Sequence, residues 1–342
     1  MAYATIDNPE LYFQAVLWTG NGSNPRTITF GADENMQPDL LWYKCRSHAV
    51  PNILYDSVRG FGNDKEVSTN DGLAQGAQSS ETDGFISAVT SDGFTLAAGA
   101  SGGDHYTNEG SRTFVAWGWK ESADAGFDIV SMSGTGSART QAHSLSTVPE
   151  WIFVKELDNA GSWYTYTAML GNTKAMFLNA TNAVSADSSG YWNNTTPTSS
   201  VFSLGTDGGV NQASTAYVAY LFRSVQGFSK FGSHTGNANA DGAFVYTGFK
   251  PAFVLLKNTA DSGASWYLFD NKRSPDNVVN EQLKPNLVDA ESTASTNNID
   301  FLSNGFKART SNGDTNAASV FIYMAFAEAP FVNSNGVPCN AR

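Results

Sequence analysis

Pro38-Asp-Leu-Leu-Trp-Tyr-Lys44 returns as Pro149-Glu-Trp-Ile-Phe-Val-Lys155 and again as Pro251-Ala-Phe-Val-Leu-Leu-Lys257. Each copy is a proline, a run of mostly apolar residues and a lysine. The prolines stand 111 and 102 residues apart, a period that marks a duplicated structural unit. Working outward, a glycine-rich turn precedes each proline: Trp18-Thr-Gly-Asn-Gly22, Ser133-Gly-Thr-Gly136 and His234-Thr-Gly-Asn237. An aromatic segment follows each lysine: Leu54-Tyr-Asp56, Trp163-Tyr-Thr-Tyr166 and Trp266-Tyr-Leu-Phe-Asp270. Each unit closes on an apolar strand, and Ala116, Ala219 and Ala325 bring the three closing strands into line. This fixed order divides the chain into a lead-in (1–11), three units (12–124, 125–226 and 227–330) and a tail (331–342).

The apolar runs are four or five residues long and are bounded by Gly, Asn, Asp, Pro or Ser, the pattern of short strands. No segment holds a helical apolar period over three turns. The fold expected is all-β: repeated antiparallel β-sandwiches of jelly-roll or lectin-like type, packed in series. The joints at 120–127 and 224–228 lack the Pro-rich or Gly/Ser character of a linker, so the units should pack together. Exposed sheet edges are a hazard that neighbouring units or subunits should cover. A short helix is expected at 289–293. The polar stretches 62–82, 181–200 and 289–298 read as surface loops, where binding residues tend to sit.

Composition narrows the function. The net charge is −12 and no run of Lys or Arg exists, which argues against nucleic acid or an anionic membrane as partner. No stretch approaches the ~18 apolar residues of a membrane span, so no membrane insertion is expected. The segment 1–9 lacks the basic start and apolar core of a secretory signal. Cys45 and Cys339 occupy no repeated position. They read as free thiols, in keeping with assembly in a reducing cytoplasm.

Several segments resemble a known family: Tyr217-Val-Ala-Tyr-Leu-Phe222, Gly227-Phe-Ser-Lys-Phe-Gly232, Gly242-Ala-Phe-Val-Tyr-Thr-Gly-Phe-Lys-Pro251, Ile299-Asp-Phe-Leu-Ser-Asn-Gly-Phe-Lys307 and Ala325-Phe-Ala-Glu-Ala-Pro-Phe331. They look like a repeat-domain family of tail and virion structural proteins of tailed bacteriophages. The match is strongest over 127–331, and Leu54-Tyr-Asp-Ser-Val-Arg-Gly60 extends it into unit one. The resemblance implies lectin-like sandwich modules, a virion location after assembly in the host cytoplasm, and other virion proteins as partners.

The chemistry-bearing residues are sparse. His48, His105, His143 and His234 form no metal-ligand spacing with Cys, Asp or Glu, and no metal or cofactor is expected. His143 and His234 fall near unit starts, where turn or surface roles fit. The nearest glycine-flanked serine context, Gly99-Ala-Ser-Gly-Gly-Asp104, lacks the spacing of a nucleophile elbow. The glycine-rich turns lack the GK[ST] of a phosphate loop and read as tight turns. Asp56 with Arg59, and Asp270 with Arg273, read as structural pairs and not as the paired carboxylates of a glycosidase. Unit two carries Thr167 and Leu170 there. The binding candidates are aromatics in polar loops: Tyr191, Trp192, Asn193 and Asn194, together with His105 and Tyr106. Aromatic faces stack on sugars while Asn or Asp bonds their hydroxyls.

The expected function is therefore a non-enzymatic, tail-associated (tail fibre or tip) virion protein that presents loops for host-surface recognition. A homo-oligomer and a host-surface glycan are its candidate partners. Two alternatives stand beside it: a purely structural tail, adaptor or capsid-decoration protein that binds only other virion proteins, and, least favoured, a glycan depolymerase.

Overall fold

The computed structural model describes residues 4–78, 80–185 and 189–339. Residues 1–3 of the lead-in, 79 and 186–188 in the polar loops, and 340–342 of the tail lie outside the described residues. Strand accounts for 40% of the chain and helix for 6%, so the fold is all-β. Unit one holds β1 (Phe13–Thr19), β2 (Arg26–Thr29), β3 (Leu40–Cys45), β4 (Asn52–Asp56), β5 (Val67–Ser68), β6 (Phe85–Thr90), β7 (Gly93–Ala97) and β8 (Thr113–Trp119). Unit two holds β9 (Phe127–Ser133), β10 (Arg139–Ala142), β11 (Trp151–Glu156), β12 (Trp163–Thr167), β13 (Met176–Phe177), β14 (Val201–Leu204) and β15 (Ala216–Phe222). Unit three holds β16 (Ser229–Thr235), β17 (Phe244–Tyr246), β18 (Phe249–Asn258), β19 (Trp266–Asp270), β20 (Ile299–Leu302), β21 (Gly305–Ala308) and β22 (Val320–Pro330).

Every sheet is built within one unit, and the topology is the same three times. The large sheets run β1-β8-β3-β4-β5, β9-β15-β11-β12-β13 and β16-β22-β18-β19, all antiparallel. In each, the first and last strands of the unit pair, and the third strand lies inside. A small sheet covers one face: β2-β7-β6, β10-β14 and β17-β21-β20. The units are thus three complete sandwiches and not interleaved halves.

The apolar runs are continuous because their strands are buried on both faces. Along β3, Leu41 and Tyr43 enter the core of their own sandwich, while Leu40 and Trp42 enter a second core. The same alternation holds in β11, where Ile152 and Val154 face inward and Trp151 and Phe153 face the second core. It holds again in β18, with Val254 and Leu256 against Phe253 and Leu255. That second core is common to all three units. Its middle is aromatic: Phe13, Trp119, Phe253 and Phe326 pack with ring centroids 5.1–6.0 Å apart. The high aromatic content is used here, where large rings fill the space between three sheets.

The glycine-rich turns close each unit. Gly20, Gly134 and Gly236 donate to the carbonyls of Arg112, Thr215 and Ser319. A Cβ at these glycines would lie 2.0–2.1 Å from the carbonyl oxygens of Glu109, Gln212 and Ala317, so only glycine permits the approach. A fully buried asparagine repeats opposite each turn. Asn108, Asn211 and Asn316 accept from the backbone N–H of Asn21, Thr135 and Asn237 at 3.2, 2.9 and 3.1 Å.

Four expectations change. Strand register aligns Ala116 and Ala219 with Tyr323, not Ala325, because Tyr43, Val154 and Leu256 pair with these three. Residues 289–293 form no helix. The stretches 62–82, 181–200 and 289–298 are not simple surface loops, since parts of each are wedged between units. His234 is not a turn residue: it lies in β16 at the register position of Trp18 and Met132. Its ring stacks on Phe321 at 5.3 Å and meets Phe306 and Tyr323 edge-on or tilted.

Burial lowers the His234 pKa from 6.5 to about 4. Between those values the unfolded chain binds the proton and the folded chain does not. The stability contribution is therefore complete above pH 6.5 and is lost as pH falls toward 4. In urea unfolding, wild type should lose stability relative to His234→Phe between pH 7 and 4.5. A gap that stays constant over that range would contradict the assignment.

Candidate functional site

The repeated lysines lie on the side of their strands that faces the neighbouring unit, and all three are fully buried. Lys155 Nζ donates to Gly161 O of its own hairpin at 3.0 Å and to Gly72 O of unit one at 3.4 Å. Lys257 Nζ donates to Asn258 O at 2.8 Å and to Thr181 O of unit two at 3.3 Å. Lys44 Nζ donates to Val50 O and, at 2.8 Å, to Val288 O of unit three. Burial lowers each pKa to about 8. The carbonyls that surround each ammonium offset part of its desolvation.

The backbone joins the same pairs of units, with donation running the other way. Gln75 N–H donates to Leu157 O at 2.9 Å, Val184 N–H to Thr259 O at 2.9 Å, and Glu291 N–H to Arg46 O at 2.7 Å. Each acceptor lies two residues past its unit's lysine. Each donor sits in the polar stretch of the unit before it, and the third bond returns from unit three to unit one. The ring is therefore closed. Neighbours also cover the sheet edges: Trp163 Nε1 donates to Ser68 O at 2.6 Å and Trp266 Nε1 to Phe177 O at 3.0 Å. At the matching place in unit one, Asn52 Nδ2 donates to Leu287 O at 2.7 Å. A second asparagine repeat supports these residues. Asn70, Asn179 and Asn286 accept from the N–H of Asn52, Trp163 and Trp266.

The Asp–Arg pairs belong to the same ring. Asp56 and Asp270 are fully buried, and each holds its arginine Nε at 2.5 Å. Each also accepts from the next unit: Tyr220 OH reaches Asp56 Oδ2 at 2.7 Å, and Trp117 Nε1 reaches Asp270 Oδ2 at 3.0 Å. Tyr220 and Trp117 occupy one register position, and its third occupant is Met324. The third acid position is Thr167. Donor and acid are lost together, so no buried charge is left unpaired. Arg273 also reaches Glu291 at 2.9 Å, and Glu291 binds Arg46 of unit one at 2.7 Å.

Removing one partner of such a pair strands a buried charge. Arg59 has Asp56 as its one carboxylate partner among the described residues, so Asp56→Thr alone should cost about 3–5 kcal/mol in urea unfolding. Adding Arg59→Leu, which recreates the residues of unit two, should recover more than half of that loss. A double variant as unstable as the single one would show that the pairing does not set the cost.

The aromatic loop candidates separate into two places. Tyr191 and Trp192 end a four-residue helix, Ser189–Trp192, of unit two. Trp192 is only 2% exposed, its ring packs on Tyr166 at 5.8 Å, and Nε1 donates to Lys174 O at 3.0 Å. It is a core residue and offers no face to a sugar. Tyr191 is half-buried and joins Tyr164 at 4.8 Å and Phe177 at 6.4 Å, both half-buried as well. Asn193 and Asn194 follow, exposed and with φ of 50° and 47°. The left-handed backbone there is one that asparagine tolerates. His105 and Tyr106 lie in the β7–β8 connection of unit one. His105 is exposed with Nδ1 2.6 Å from Glu109 Oε2, an oxygen that Arg112 also binds at 2.5 Å. Tyr106 is half-buried, and burial raises its pKa, followed by the nearby Asp83, Glu66 and Asp71. Among the described residues, no three His, Cys, Asp or Glu side chains converge to hold a metal ion. Cys45 is buried, and both cysteines are free.

Residues 8–330 match the family model described as a domain of unknown function, DUF7483, and the chain belongs to that family. No curated protein and no solved structure matches the chain.

Proposed function

We propose that this DUF7483 chain is a non-enzymatic bacteriophage virion protein, tail-associated, that presents loops for host-surface recognition. The observation that carries the reading is a division of roles among the polar residues. The repeated lysines and the Asp–Arg pairs point inward and lock three sandwiches together. The Tyr191–Tyr164–Phe177 group with Asn193 and Asn194, and the His105 loop, remain at the surface. A rigid scaffold with outward polar connections suits recognition. Several copies on one particle would turn weak sugar contacts into useful avidity. The segments Gly227–Gly232, Gly242–Pro251 and Ile299–Lys307, which resemble tail and virion proteins, support the particle assignment.

Gold-labelled antibody and electron microscopy of the particles that carry the chain should place label at the distal end of the tail. Label over the capsid or the neck would overturn host recognition. It would favour a structural or decoration part that binds only other virion proteins.

A further inference from the structure

Unit three departs from the threefold pattern at one place, and the departure opens a cleft. Gln14, Asp128 and Lys230 occupy one register position, the second residue of the first strand, opposite Gly118, Leu221 and Ala325. In units one and two this residue is buried and clamps the connection that follows the second strand. Gln14 Nε2 donates to Glu34 O at 2.7 Å, and Asp128 accepts from Ser144 N–H and Oγ at 2.7 and 2.6 Å. The clamped connections are ten and eight residues long, 30–39 and 143–150. In unit three the connection shrinks to the turn Thr247–Gly248, with Gly248 at φ +87°. Lys230 is left exposed, with no side-chain hydrogen bond or ion pair among the described residues.

The space vacated is a cleft of about 320 Å³, at the lower end of the ~300–1,000 Å³ of small-molecule sites. Tyr246, 59% exposed, and Lys230 both line it, together with Gln226, Ser229 and Thr247. Tyr246 pairs across the strands with Gly305, so no side chain covers its ring from β21. A Cβ at Gly305 would lie 2.0 Å from Val245 O, so that position cannot gain a side chain without moving β17. No carboxylate lines the cleft. Glu150 bonds the lining residue Ser224, accepting through Oε2 from Ser224 N–H and Oγ. The net charge of −12 is screened over about 8 Å at physiological ionic strength, so the ammonium sets the local sign.

We propose that this cleft binds an acidic saccharide, with a sugar face on the Tyr246 ring and the sugar carboxylate on Lys230. The assignment deepens the host-surface reading, on which it rests for its ligand class. It can be tested by calorimetric titration of the full chain with oligosaccharides that contain glucuronic or neuraminic acid, against neutral oligosaccharides of the same size. Acidic sugars should bind at least about tenfold more tightly, the worth of a hydrogen bond to a charged group. Lys230→Gln should remove that preference, and Tyr246→Ala should remove binding of both classes. Val58→Ser, at an exposed residue of unit one away from the cleft, should leave the titration unchanged. Both cleft side chains are exposed, so circular dichroism should show an intact fold in each variant. Absence of saccharide binding, a preference for neutral sugars, or binding unaffected by both cleft variants would overturn the proposal. Saccharide binding at the cleft of a protein found on the capsid would support it while removing the tail reading. A tail location without saccharide binding would overturn the cleft alone.

Discussion

The middle strand of each unit is apolar on both faces, and the rest of the structure follows from that constraint. A sandwich buries only one face of its large sheet. Leu40 and Trp42, Trp151 and Phe153, and Phe253 and Leu255 would face water on an isolated unit. Such a unit would expose a contiguous apolar patch and be prone to associate. Three units supply enough surface to cover one another, and the shared aromatic centre is the result. The opening at that centre holds about 10 Å³, too little for more than a single water. The centre is therefore packed like an ordinary core.

Apolar packing alone is non-directional and does not choose one arrangement of three similar sheets. The polar ring makes that choice. Each lysine and each edge indole reaches the unit before it, each loop amide reaches the unit after it, and the bonds between units three and one close the cycle. A rotated or reversed packing would strand buried ammonium and amide groups, which is costly. The third Asp–Arg link is absent, with Thr167 and Met324 at its two ends, yet the backbone ring is complete. Specificity therefore resides in the backbone and lysine bonds, and the buried ion pairs supplement it.

Much of this was legible in the sequence. The Pro-to-Lys runs identify the repeat, the strands and the all-β class, because a doubly buried strand must be continuously apolar. The short joints point to packed units. The Asp–Arg pairs are structural, and the turn glycines are required by close backbone approach. Other features were hidden for physical reasons. Asn70, Asn179 and Asn286, spaced 109 and 107 residues apart, lie within or just before the polar stretches; only the spacing could have marked them as repeated acceptors. Ala325 misled because its strand carries alanines at several positions and strand register is set by partners. Trp192 sits among polar neighbours yet turns inward. The Lys230–Tyr246 cleft is invisible to any motif, since it arises where a connection present in two units is missing from the third.

Hydrogen–deuterium exchange at the amides of Gln75, Val184 and Glu291 tests the closed ring most directly. All three lie in stretches without regular strand, where an exposed amide would exchange quickly. If the ring holds the three units as one body, the three amides should exchange slowly and together, through global unfolding. Exchange as fast as in an exposed loop, or at three separate levels, would contradict a single interlocked structure.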